Sequence, residues 1–594
     1  MRVKYGLAGF NGRWGRRGIF VLLGVLVLCG IWVIATAVLA ARAAERMELD
    51  LAEARVLVTS GQPELATAIA QDVTAQAGRA HEFTSGPIWW LGASIPYVGE
   101  PLKVVRNAAE AGNRVGAISV PALVQLAGDI SPAKLRVNGD SVNLAPLIAA
   151  APELHQAARA LDAANAAVAK LPHSTWLPFV DSRRNKLQQQ LQSIDGYVGA
   201  ADRAAQILPA MAGWSTMQRY FVGLQNEAEM RGTGGIPGAF AIMEVFHGKV
   251  TFTHFESDQV LLPVATGQLV PTGLNFGSDY DSAWGRSEPT SLYVNSNLSP
   301  NFPYAAQIWA KMWQQVSGEH VDGAIALDPA ALSYFLAVTG PAVLPDGTAV
   351  SAQNVVSLTE RDEYALYPNL DQRKDFLVDL IHATDDKITS GSGDTAGLVH
   401  AASAAASQHR LLVWSADPAV EAVLAQSSYA GAIPATTQPF SGLVINNIAA
   451  GKLDYYLARS VQYQRTGCGP TRDVQVTITL TDDAPAGGLP AYVDTRLDTH
   501  SYPVQPGDDR VLVDYLATDG AQLMSVTLDG APATLAVQTE AGHTDFRYDL
   551  ELPRGKTQTL VLNLQEPAGT DPPVVWQQPG VNPLRQQYYS QSCG

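Results

Sequence analysis

The sequence predicts a multidomain α+β protein: a single N-terminal transmembrane helix, a helical region, an α/β domain and a C-terminal antiparallel β-sandwich. Three observations predict it. An uncharged run of 24 residues from Gly18 to Ala41 follows a basic start, the next stretch is Ala-rich with heptad spacing, and beyond about residue 440 the hydrophobic period becomes two. The 594 residues are also too many for one core, because a domain holds about 100 to 200. The boundaries read as a basic cytoplasmic tail at 1–17, the transmembrane helix at 18–41, the helical domain at 42–212, the α/β domain at 213–440, the sandwich at 441–567 and a Pro- and Gln-rich tail at 568–594.

The N-terminal element follows from charge and length. Arg2, Lys4, Arg13, Arg16 and Arg17 precede the run, with no acid among the first seventeen residues. As a helix the run spans about 36 Å, against about 30 Å for a bilayer core. A cleavable signal peptide is the alternative, with Ala37 to Ala40 as its cleavage site, although its apolar stretch is usually about 7 to 15 residues. As an anchor, cations before the span and none within it place the N-terminus in the cytoplasm and the bulk of the chain outside the cell membrane. The net charge of -16 then divides into a foot of +5 and an exported body of -21. An acidic body excludes nucleic acid as a partner, and 47% hydrophobic with 16% charged content excludes a disordered or polytopic chain.

In the helical region, Leu154, Ala157, Leu161, Ala164, Val168 and Leu171 step by three and four. Leu187, Leu191, Ile194, Val198, Ala201, Ala205 and Leu208 do the same. The pair predicts an antiparallel hairpin, either a stalk or part of a packed helical domain. From Trp214 the pattern is mixed: a strand at 220–224, a hairpin of 239–246 and 249–255 turning at His247 and Gly248, and a helix at 304–316. A further helix opens at Asp328 and Pro329, and another covers 373–388. In the last region Val474, Val476, Ile478 and Leu480 alternate with polar residues, as do Leu560, Leu562 and Leu564. Cys468 and Cys593 are the exported cysteines, available for one disulfide pinning the tail or present as two free thiols. No zinc spacing occurs.

Two clusters carry candidate chemistry. Residues 225–238 hold Arg231 among glycines; Pro237 breaks the dinucleotide fingerprint, leaving a turn whose amides with Arg231 cradle an anion, or a Gly-rich connection. Arg361, Asp362, Glu363, Arg373, Lys374 and Asp375 mix arginines with acids, which suits phosphoryl chemistry with a divalent metal and equally suits helix capping. No nucleophile elbow is present.

The run through Tyr220 and Leu224 into Gln225, Asn226, Glu227, Glu229, Arg231, Gly232, Gly234, Gly235 and Gly238 resembles the bacterial domain of unknown function 4012 family. So do Asp322, Asp328, Pro329, Gly340, Asn354, Arg373, Lys374, Lys452, Asp454 and Tyr456, over roughly residues 90–565. A second, weaker resemblance links 214–390 to the LytR-CpsA-Psr family, membrane-anchored enzymes that move glycopolymers from polyprenyl pyrophosphate carriers to the cell wall. That resemblance implies Asp258 as a catalytic acid, Arg231, Arg373 and Lys374 as phosphate ligands, Mg2+ as the ion such a site takes, and a polyprenyl-linked glycan as partner. Ser257 stands where the family has an arginine beside the acid, and Arg373-Lys374-Asp375 where it has two arginines before a Gln. These departures favour a non-catalytic scaffold, or a protein binding glycan or polyprenyl pyrophosphate, in envelope polysaccharide assembly. The alternative is a phosphotransferase moving a glycopolymer to the cell wall.

Overall fold

The basic and apolar N-terminus winds into α1 (Gly12–Thr59) in the computed structural model, which describes residues 12–59, 62–129, 136–137, 141–172, 174–262, 269–389, 395–567, 569 and 572–592. From Phe20 onward α1 is long and apolar enough to cross a membrane. Its apolar side chains face outward: Phe20, Leu28 and Ile34 are each about two-thirds exposed or more. Lipid is the solvent in which such a helix needs no partner.

The chain divides into two compact units, Met1–Leu135 with Asn143–Leu208, and Arg136–Val142 with Pro209–Gly594. The first unit contains α1, α2 (Pro63–Thr84), α3 (Pro87–Ala93), α4 (Glu100–Asp129), α5 (Ala145–Ala169) and most of α6 (Pro178–Met211). The heptad residues Leu154, Ala157, Leu161, Ala164 and Val168 of α5 are buried, and α6 contributes Leu191 and Val198 to the same core as Val73 and Val115. Of the two readings of the heptads, the packed helical core is therefore the one observed. Alanine at four of the thirteen seam positions reduces the apolar area of each helix, which gains its stability from packing with its neighbours.

The second unit opens with β1 (Arg136–Val137) and β2 (Ser141–Val142). Next come β3 (Gln218–Arg231), β4 (Gly234–Phe246), β5 (Lys249–Ser257), α7 (Ser278–Trp284), α8 (Phe302–Ser317), β6 (Gly323–Leu327) and α9 (Pro329–Thr339). After β7 (Ala342–Val343) and β8 (Ala349–Val350) lie α10 (Leu370–Thr389), α11 (Thr395–Ser407), β9 (Leu411–Ser415) and α12 (Pro418–Leu424). One seven-stranded sheet runs β1-β2-β5-β4-β3-β6-β9, with β3 and β6 parallel. The β4–β5 hairpin turns through His247 and Gly248, both with positive φ, as a two-residue turn requires. Helix α8 seats Trp309 and Met312 against Phe221 and Phe240 on one face, while Leu336 and Leu380 from α9 and α10 cover Leu224 and Ala239 on the other.

The remaining strands are β10 (Phe440–Asn447), β11 (Leu457–Thr466), β12 (Thr471–Asp482), β13 (Asp509–Ala517), β14 (Gln522–Leu528), β15 (Ala531–Pro532), β16 (Ala536–Glu540), β17 (His543–Leu552), β18 (Thr557–Pro567), β19 (Val574–Gln577) and β20 (Arg585–Ser590). They make a five-stranded sheet, β16-β17-β13-β10-β19, and a six-stranded sheet, β15-β14-β18-β12-β11-β20. Both sheets feed one core: Val474, Val476, Ile478, Leu480, Leu560, Leu562 and Leu564 meet Val511, Val513, Tyr515 and Phe546 there. The whole is a mixed α+β protein with an apolar N-terminal helix and several sheets. The tail departs from its aperiodic reading, since β19 and β20 add parallel edges to β10 and β11. Its strands are four and six residues long between Pro-rich connections, too short for a period of two to stand out.

Candidate functional site

The site grows from β3, where Gln225, Glu227, Glu229 and Arg231 recur at a spacing of two. Pairing with β4 jumps from Asn226 to Met230, so 227–229 bulge out of that ladder. A bulge re-aims side chains that a regular strand would send to the core. Two amides here are occupied: Met230 donates to Asp454 Oδ2 at 2.7 Å and Gly232 to Asn446 Oδ1 at 2.9 Å. A Cβ on Gly232 would lie 2.2 Å from the Leu298 carbonyl oxygen, and one on Gly235 1.8 Å from that of Asn226. These glycines serve close backbone approach. Arg231 is buried and donates to the carbonyls of Val294 at 3.1 Å, Met230 at 3.1 Å and Asn447 at 2.6 Å. Burial lowers its pKa, against the pull of Glu229 and Asp454.

The other sequence-predicted site residues meet one another. Asp258, at the end of β5, is buried with Lys374 Nζ of α10 at 2.5 Å, and Lys374 also donates to Gly238 O at 3.2 Å. Burial raises the Asp258 pKa, and Lys374 opposes it. Arg373 donates to the carbonyls of Tyr367 and Pro368 at 2.8 and 2.9 Å, and its guanidinium lies 3.9 Å from the ring centre of Tyr492. The Lys452 ammonium lies 4.3 Å from the same ring and 2.7 Å from Glu229. Glu363 is buried between these groups: desolvation pushes its carboxyl well above the usual range, with Lys374 and Arg373 drawing it back. Asp258, Lys374 and Arg373 are thus gathered in one buried network with Glu229, Glu363 and Lys452, while the donors of Arg231 turn to carbonyls of its own surroundings.

Beside this network is a group that the sequence reading missed. Residues 358–362 form a π-helical turn, a form that recurs at functional positions. The turn buries Glu360 against Glu227. Arg410 Nη1 reaches Asp328 at 2.7 Å and Glu227 at 3.4 Å, and Asp328 also caps α9 through Ala331 N at 2.6 Å. Burial raises Glu360 to about 7, with the hydrogen bond to Glu227 pulling the other way. Glu227 is raised further by burial and by its acidic neighbours Asp328 and Glu360. A proton shared between the two carboxyls accounts for both shifts. The signal in the sequence is the alternation of Gln225, Glu227, Glu229 and Arg231 after the apolar run Tyr220 to Leu224. Among the described residues no three His, Cys, Asp or Glu side chains are placed to hold a metal ion, and the Asp258 carboxylate carries Lys374.

A separate cavity of about 210 Å³ opens between α7, α8 and the turn after β16. Phe276, Tyr280 and Tyr304 form its aromatic side, with ring centres 4.7 to 5.0 Å apart. Asp279, Thr539 and Glu540 supply polar edges. The Tyr280 hydroxyl is buried without a hydrogen-bond partner. Glu540 accepts from Trp284 Nε1 at 2.5 Å and Ser299 Oγ at 2.8 Å, and burial raises it to about 7. Cys593 lies outside the described residues; nearby, Gln591 accepts from Gly467 N at 3.1 Å, one residue before Cys468.

These features define a mixed α+β protein carrying a membrane-length helix and a buried ionic network. Within it, residues 216–364 match the model of the family described as Protein of unknown function (DUF4012). No curated protein and no solved structure matches the chain.

Proposed function

We propose that the chain is a single-pass, membrane-anchored protein of the cell envelope. Its body is extracytoplasmic, and it binds envelope glycan without turning it over. The cavity of Phe276, Tyr280 and Tyr304 carries this reading. Aromatic faces stack on the C–H faces of sugar rings, and Asp279 and Thr539 offer hydrogen bonds to sugar hydroxyls. The five cations ahead of the span support a cytoplasmic N-terminus. The five- and six-stranded sheets read as the β-sandwich, and the seven-stranded sheet with its helices as the LytR-CpsA-Psr-like domain. Cys468 and Cys593 pair to pin the tail, a reading supported by β20 lying along β11 and ending beside Gly467.

The second reading, transfer of a glycopolymer from a polyprenyl pyrophosphate carrier, draws on the gathering of Asp258, Lys374 and Arg373. Against it, Lys374 is held by Asp258 and Gly238, and Arg373 donates to two carbonyls. A pyrophosphate would have to displace contacts already made. The deciding experiment titrates full-length protein in detergent with soluble envelope oligosaccharides. Asp279→Ala removes an exposed carboxylate from the cavity edge and should weaken binding by about tenfold, the loss of roughly 1.4 kcal/mol. Equal affinity in the variant removes the cavity from the function. Release of lipid-linked glycan by wild type, abolished in Asp258→Asn, would replace the binding reading with the transferase.

A further inference from the structure

The helical unit contains a larger and mainly apolar cavity, of about 330 Å³, walled by α1, α2, α4 and α6. Small side chains leave the space: Ala40 and Ala44 of α1 face Ala77 of α2 and Ala108 of α4. Its position along α1 is informative. Ala37, Ala40 and Ala41 are the last turn of the uncharged run, whereas Ala44, Met47 and Glu48 lie beyond it. One end is therefore at hydrocarbon depth and the other at the level of lipid headgroups, given the membrane-spanning reading of α1 on which this inference rests.

At the headgroup level the cavity is cationic. Arg183 is half-exposed, stacks on Phe179 and sits 3.7 Å from Glu45, one turn past Ala41. Arg184 is only 3% exposed. It donates to Asn185 Oδ1 at 3.0 Å and Val168 O at 3.3 Å, its buried Nε has no partner, and among the described residues no carboxylate pairs with it. Glu48, the acid on the wall, is taken by Lys186. A buried guanidinium without a counter-charge is costly, and an anionic phosphate supplies one.

We propose that this cavity holds one anionic phospholipid of the surrounding leaflet, with an acyl chain along the alanine wall and the phosphate on Arg183 and Arg184. A hydrocarbon chain fills a dry void that protein side chains leave empty, and the phosphate satisfies Nε of Arg184. The lipid wedges α1 against α2, α4 and α6, fixing the anchor to the helical unit.

The test uses full-length protein in vesicles of phosphatidylcholine with a minor fraction of phosphatidylglycerol, one of the two carrying a diazirine near the acyl terminus. Flotation is scored first. Protein that stays behind overturns both the anchor reading and this one. For protein that floats, irradiation should label peptides of α4 and α6 as well as α1, with phosphatidylglycerol preferred. Ala108→Trp fills the space and should remove the α4 and α6 label. Arg183→Ala, a rim change that spares the packing, should lower the phosphatidylglycerol preference about fivefold. Label confined to the apolar part of α1, or unchanged in Ala108→Trp, overturns the proposal. So does cross-linking of α4 and α6 to a second copy of the chain in place of lipid.

Discussion

The proton held between Glu227 and Glu360 makes a pH-dependent prediction. In the folded chain the Glu360 carboxyl titrates at about 7, against the usual 4.5. A group whose folded pKa is raised contributes stability that is complete below its unfolded pKa and lost as pH climbs through the folded one. The difference of about two and a half units corresponds to about 3 kcal/mol at 1.36 kcal/mol per unit, lost as pH rises from about 4.5 to about 7. Glu360 is 1% exposed, so solvent screening takes little from that figure. Glu360→Gln mimics the protonated form at every pH. Hydrogen exchange, corrected for intrinsic rates, reads the opening free energy of β3 and β6 amides in each protein across this window. The variant should gain on wild type by about 3 kcal/mol between the acidic and the alkaline limit. Buried acids outside the Glu227–Glu360 pair, including Asp454 at about 6 and Asp482 at about 7, titrate in both proteins and cancel in the difference. Parallel curves for the two proteins would refute the shared proton.

Lys374→Met strands Asp258 as a buried charge and should cost about 3 to 5 kcal/mol of unfolding free energy in urea, while adding Asp258→Asn should recover most of it. A double variant as unstable as the single would show that the pair is not coupled. Gly235→Ala places a Cβ 1.8 Å from the Asn226 carbonyl oxygen and should lower the melting temperature sharply, by the equivalent of more than about 4 kcal/mol. Gly469→Ala meets nothing closer than Thr471 O at 3.5 Å, so its melting curve should overlay that of wild type.

The elements that the sequence exposed are those in which one periodicity runs unbroken. The heptads of α5, the alternation of β12 and β18, and the Asp328-Pro329 start of α9 all stand where their residues imply. Strand β3 was legible only to Leu224, because glycines and carboxylates beyond it read as a loop. The physical reason is that its second half is buried by charge pairing, through Arg410 and Lys452, which come from some 180 and 220 residues away. No local pattern announces such partners. Yet residues of the family resemblance, Glu227, Glu229, Asp328, Arg373, Lys374, Lys452 and Asp454, all take part in the network or its border.

The placement of cations bears on what that network does. Residues 18–594 carry a net charge of -21, which surface arginines would offset, yet Arg231, Arg373, Arg459 and Arg465 are all buried. Arg231 joins β3 to β10 through Asn447, and Gln578 from the tail donates to Arg231 O at 2.7 Å and to Ile445 O at 2.7 Å. Arg547 of β17 reaches back to Ala283 O at 2.7 Å and lies 3.9 Å from the Trp284 ring. The contacts of Arg231, Gln578 with Arg231, and Arg547 cross from the seven-stranded sheet and its helices to the two further sheets, which is why both belong to one compact unit. A polar seam is stable only in the register where every partner is met, so it selects one docking geometry where an apolar seam would tolerate sliding. Cations committed to that geometry are poor ligands for a substrate that must come and go. Exchange with small molecules is better suited to the aromatic cavity beside α7 and to the alanine-walled cavity beside α1, where unpartnered polar atoms remain.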